Sequence, residues 1–118
     1  MPVTLHVCTT CRAGKPLEEG KPCPGERLHT ALSNVLVPEG VRIVPVECLS
    51  ACSNGPTIAL SSRGRWTYVY GHMGEADVAD ILSGAAAYAA APDGIVPWRE
   101  RPEIFRKQSI ARIPPLEL

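Results

Sequence analysis

The sequence predicts an α/β protein with the element order βαβββα, a mixed sheet and a C-terminal extension. Three observations predict it. A β-rich run, Val3 to Val7, enters directly into Cys8. Two stretches carry apolar residues at helical spacing, one near residue 30 and one near residue 82. Between them, two β-rich runs flank a segment with the length and the glycine of a hairpin turn. The opening βαβ unit makes its two strands parallel and the later hairpin is antiparallel, so the sheet is mixed.

The elements follow in order. Val3 to Val7 (VTLHV) is the first strand, ending at a cysteine. Residues 9 to 25 carry Gly14, Pro16, Gly20, Pro22, Pro24 and Gly25 and form a loop. Leu28, Ala31, Leu32, Val35 and Leu36 then make an i, i+3, i+4, i+7, i+8 stripe. This is an amphipathic helix opened by Pro24-Gly25 and stopped by Pro38 and Gly40. Val41 to Val46 (VRIVPV) is the second strand, and Pro45 confines it to a sheet edge or a bulge. Thr57 to Leu60 and Arg65 to Tyr70 are the third and fourth strands, joined through Ser61 to Gly64. A second helix runs from Glu75 to about Ala90 on Val78, Ile81, Leu82, Ala85, Ala86 and Ala89. We divide the chain into a domain over residues 1–91 and an extension over 92–118. The extension has no clear period, yet Ile95, Val96, Trp98, Ile104, Phe105, Ile110 and Ile113 require it to pack on its own domain or on a second subunit.

Composition narrows the function. The chain has 118 residues, 45% of them hydrophobic, enough for one modest core. Its 12 basic residues balance its 12 acidic ones, so no electrostatic footprint for nucleic acid or an anionic membrane is present. The N-terminus lacks the basic flank and apolar run of a signal peptide, and no stretch approaches a bilayer span. A cytoplasmic protein is expected. Five cysteines in a reducing compartment should be thiols, and an odd number cannot all be paired within one chain.

The thiols form a pattern. Cys8-Thr-Thr-Cys11 follows the first strand, and Cys48-Leu-Ser-Ala-Cys52 follows the second, while Cys23 sits alone in the first loop. Parallel strands of a βαβ unit end at the same sheet edge, so the two short-spaced pairs converge there. Ser50, Ala51, Asn54 and Gly55 permit tight turns whose N–H groups can approach sulfur. Such donors stabilise thiolate charge. Inert, buried cysteines are the bland alternative. Three chemistries use such a site: a Cys₄ zinc site, a dithiol redox pair, and an iron–sulfur cluster. Zinc ribbons compensate for a missing core, whereas this chain has one. Dithiol pairs sit at a helix N-terminus, whereas the segment after Cys11 is rich in proline and glycine.

A resemblance decides further. CLSACSNGPTIAL, with a cysteine after the first strand and another in the following loop, resembles the thioredoxin-like [2Fe–2S] ferredoxins, relatives of a complex I subunit. GRWTYVYGHMGEADVADIL resembles the closing ββα of that fold. More narrowly, LHVCTTCRAG, VECLSAC, WTYVYG and PDGIVPWRERPE resemble a family of small bacterial predicted metal-binding proteins, some beside cobalamin-biosynthesis genes. The resemblance implies a thioredoxin-like fold, a [2Fe–2S] cluster and an electron carrier rather than an enzyme. It implies a reductase and an acceptor oxidoreductase as partners, possible service in cobalamin-related metabolism, and a homodimer. A zinc-binding or thiol–disulfide module of the same fold is the alternative function. Gly55-Pro56 is expected to be cis, as thioredoxin folds carry a cis-proline there.

Local geometry selects Cys8, Cys11, Cys48 and Cys52 as ligands, one pair to each iron, because the two residues between Cys8 and Cys11 cost little loop entropy. The resemblance offers a rival set with Cys23 in place of Cys11, since many such ferredoxins take the second ligand from that distance along the loop. His6, His29 and His72 lack the spacing of a Rieske centre; His6 could serve as a donor behind the ligands. Trp66, Tyr68 and Tyr70 alternate as one face of a strand, and Arg99 to Arg101 read as a solvated turn.

Overall fold

A computed structural model describes residues 2–9, 22–47, 49 and 55–115. Its strands are β1 (Val3–Cys8), β2 (Val41–Val46), β3 (Ile58–Ser61), β4 (Thr67–Tyr70) and β5 (Ser109–Ile113). Its α-helices are α1 (Pro24–Ser33), α2 (Val78–Ala90) and α3 (Glu103–Lys107), with 3₁₀ turns at Glu75–Asp77 and Trp98–Glu100. The five strands form one sheet in the order β2-β1-β3-β4-β5. β1 and β2 are parallel, and the β1–β3, β3–β4 and β4–β5 pairs are antiparallel. The expected mixed α/β sheet of a thioredoxin-like fold is therefore present.

Alternation along β1 decides which face is the core. Val3, Leu5 and Val7 are fully buried, while Thr4 and His6 on the other face are half-exposed. Ile58 and Leu60 of β3 and Tyr68 and Tyr70 of β4 join the same cluster. Leu28 and Leu32 of α1 and Ile81, Leu82, Ala85 and Tyr88 of α2 close it. β2 is an edge strand, which is where Pro45 can sit without forfeiting an inner ladder bond. Gly64 closes the β3–β4 turn with φ of 77°, a backbone that favours glycine.

Helix α1 is shorter than its stripe suggests. It ends at Ser33, and Val35 and Leu36 are 43% and 95% exposed. The residue before Pro38 is steered away from helical geometry, so the chain leaves the helix before it. Val37 and Val41 pack against the core instead.

The segment after Ala91 returns to the same sheet. Phe105 of α3 is 3% exposed within the core cluster and stacks on Tyr70, ring centroids 4.0 Å apart. A methyl group on Gly84 of α2 would stand 2.1 Å from that ring, so only glycine leaves the space. β5 then pairs with β4, with a bulge opposite Val69/Tyr70. Trp98, Ile110 and Ile113, expected to pack, are instead 60%, 41% and 51% exposed; Val96 and Phe105 are the buried residues. Arg101, read as part of a solvated turn, is anchored. Its Nε donates to the Val96 carbonyl at 2.8 Å, and its guanidinium lies 5.6 Å from the Tyr68 ring centroid and 5.5 Å from that of Trp98.

Candidate functional site

The site edge is built by three strand ends. β1 and β2 run parallel in a register that pairs Cys8 with Val46, so both leave the sheet at the same level. The Cys8 N–H donates to the Thr57 carbonyl at 3.1 Å, bringing the start of β3 to the same place. Gly55-Pro56, just before Thr57, is cis as the sequence predicts, and the Pro56 carbonyl accepts from Met73 N–H at 3.0 Å.

Cys8 is 3% exposed, and its thiol donates to the Glu47 carbonyl at 3.6 Å. That carbonyl precedes Cys48 in the chain. Thr9 holds the two strand ends together: its N–H and its Oγ1 both donate to the Val46 carbonyl, at 2.8 and 3.0 Å. The Thr9 carbonyl in turn accepts from the Cys23 thiol at 3.0 Å. Cys23 is the N-cap residue of α1, with Pro24 in the first turn, where proline's fixed φ suits a helix start. Its carbonyl accepts the first turn's bond from Arg27 N–H at 3.0 Å.

Cys8 and Cys23 are both free thiols. Cys23 reaches the residue that follows Cys8, although 14 residues separate the two cysteines in sequence. Cys11, Cys48 and Cys52 lie outside the described residues. Among the described residues no three His, Cys, Asp or Glu side chains gather as a metal site. The thiol standing at a helix N-terminus is Cys23, where a helix opened by Pro24-Gly25 places it.

His6 lies two residues before Cys8 and on the same face of β1 by alternation. Burial, and then the charge of Arg42, lower its pKa, so the neutral imidazole is favoured. His72 is exposed and adopts φ of 54°, a left-handed backbone, in the turn after β4. The contribution that sequence reasoning missed is Thr9. A hydroxyl directly after the first cysteine of a C-x-x-C pair was its only signal.

Residues 5–115 match the family described as "Protein of unknown function (DUF1636)". The chain belongs to this family. No curated protein matches it significantly in sequence. Among solved structures it is similar to a thioredoxin-like [2Fe–2S] ferredoxin from Aquifex aeolicus, with a TM-score of 0.61 and 17% identity over 99% of this chain and 97% of that one. It is also similar to the wild-type thioredoxin-like [2Fe–2S] ferredoxin from Aquifex aeolicus seen in a 1.5 Å crystal structure, with a TM-score of 0.57 and 17% identity over 93% and 97% of the two chains. At this identity the likeness establishes the fold. No helix among the described residues is long and apolar enough to cross a membrane.

Proposed function

We propose that the protein binds a [2Fe–2S] cluster on four cysteine thiolates at this sheet edge and carries single electrons from a reductase to an acceptor oxidoreductase. The observation that carries the reading is the contact of the Cys23 thiol with Thr9, the residue after Cys8, beside the strand end that leads into Cys48. Both described thiols are free, and each donates to a backbone carbonyl through a weak S–H bond that deprotonation would release. Thiolates are what a cluster requires. The residues present therefore fit such a group, and the fold is that of proteins whose titles name one.

Bound there, the cluster would supply one-electron chemistry. The chain's own part is to fix the sulfurs, limit water around the buried Cys8 and offer the α1 N-terminus, whose dipole favours negative charge, to Cys23. In this reading Cys8, Cys48 and Cys52 are ligands, and the fourth is Cys11 or Cys23. Local spacing favours Cys11, whereas the Thr9–Cys23 contact favours Cys23. A homodimer in the cytoplasm, and an acceptor in cobalamin-related metabolism, complete the proposal. So does the division into a ferredoxin unit over residues 1–91 and an extension over 92–118.

A second reading has the same cysteines holding zinc or cycling as a dithiol, favoured by Cys23 at a helix N-terminus. Single cysteine-to-serine variants, purified without oxygen, test the ligand set. Loss of the visible spectrum in Cys8→Ser, Cys48→Ser and Cys52→Ser is expected. If Cys11→Ser bleaches and Cys23→Ser does not, the short-spaced set holds; the reverse result gives the place to Cys23. Full retention of colour in Cys8→Ser would overturn the site.

A further inference from the structure

We propose that Thr9 is a positioning residue for the thiolate site, fixing the spread between the ends of β1 and β2; this rests on the cluster reading above. Thr9 follows Cys8 directly, and Val46 stands two residues before Cys48. A carbonyl oxygen has two lone pairs, and at Val46 both bonds come from one residue, N–H at 2.8 Å and Oγ1 at 3.0 Å. The N–H bond extends the strand pairing by one step. The Oγ1 bond does something different: it fixes the Thr9 rotamer, already stiff because the side chain is β-branched, against the end of β2.

The two ties of Thr9 respond differently to metal loading. The Cys23 thiol donates to the Thr9 carbonyl at 3.0 Å only while it keeps its proton. If Cys23 is the fourth ligand it has no proton to donate, and that contact is lost on loading. The donors from Thr9 to Val46 carry no titrating proton and persist. With the β1–β2 ladder behind them, they hold the chain next to Cys8 and the segment leading into Cys48 at one separation. Partners behind ligands commonly alter metal retention by about 10- to 100-fold when removed.

Thr9→Val keeps the shape and deletes the hydroxyl donor; Thr9→Ser keeps the donor and deletes the methyl group. Thr9→Ala lacks both and substitutes for Thr9→Val should valine fail to fold. Each full-length variant is reconstituted with iron and sulfide without oxygen. Bleaching by a chelator and the EPR spectrum of the dithionite-reduced protein are then recorded. Thr9→Val should lose its cluster about tenfold faster than wild type and show a displaced EPR spectrum, with Thr9→Ser close to wild type. A wild-type rate and spectrum in Thr9→Val overturns the proposal and leaves the cluster reading intact. Equal damage in the serine and valine variants also overturns it, because packing of the methyl group would then be the cause. A wild-type protein that cannot be reconstituted overturns both the proposal and the cluster reading.

Discussion

Gly84→Ala should detach the C-terminal segment from the rest of the molecule. A Cβ at residue 84 would stand 2.1, 2.6 and 2.7 Å from three carbons of the Phe105 ring. Those carbons are part of a rigid ring, itself 3% exposed and stacked on Tyr70 with 14° between planes. The ring cannot tilt away without leaving its pocket among Tyr70, Val96 and α2. Expelling it forfeits what truncating a buried phenylalanine forfeits, about 3–5 kcal/mol. Alanine in place of glycine inside a helix returns about 1 kcal/mol. The net loss is then about 2–4 kcal/mol, a sizeable share of a small domain's stability. Urea unfolding followed by far-UV circular dichroism measures it, and limited proteolysis between residues 92 and 108 reports release of the segment. Phe105→Ala should be similarly destabilised. In that background Gly84→Ala should change sign and stabilise by about 1 kcal/mol, because only the helix term remains. A single Gly84→Ala variant as stable as wild type would refute the close packing of α3 on α2.

The Tyr68 hydroxyl is buried without a hydrogen-bond partner among the described residues, so Tyr68→Phe should leave stability unchanged or raise it by about 1 kcal/mol in urea unfolding. Tyr88 donates its hydroxyl to the Trp66 carbonyl, and burial raises its pKa from 10.0 to about 12. The unfolded chain gives up this proton near pH 10 while the native hydroxyl keeps it to about 12, so stability is present below pH 10 and falls between the two values. Urea midpoints at pH 9, 10 and 11 should show that decline, shallower in Tyr88→Phe; equal slopes would contradict it. Truncation after Ala91 removes Phe105 and β5, uncovering Tyr68 and Tyr70, and should leave a protein that is markedly less stable or insoluble, as thermal unfolding and sedimentation would show.

The elements with strong periodicity were legible in the sequence because their burial pattern is their cause. Val3, Leu5 and Val7 alternate because one face of β1 meets both helices, and Pro45 marked β2 as an edge. β5 was not legible. All five of its residues are exposed, so neither face leaves an apolar alternation to read, and its place is set by pairing with β4. α3 is five residues long, too short for a stripe. The end of α1 was misjudged because Val35 and Leu36 continue the helical spacing, although Leu36 meets only solvent. At the site, the convergence of the strand ends followed from βαβ topology alone. The approach of Cys23 to Thr9 did not. It depends on where the 13 intervening residues bring the chain back, which no local pattern records.

Iron and acid-labile sulfide analysis of protein purified without oxygen, read together with EPR before and after dithionite, tests the cluster most directly. The account predicts about two irons and two sulfides per chain, a brown oxidised protein that is EPR-silent, and a spin-½ signal on one-electron reduction that disappears again on reoxidation. A colourless protein that contains zinc and no sulfide, and that takes up no cluster on reconstitution with iron and sulfide, would contradict it.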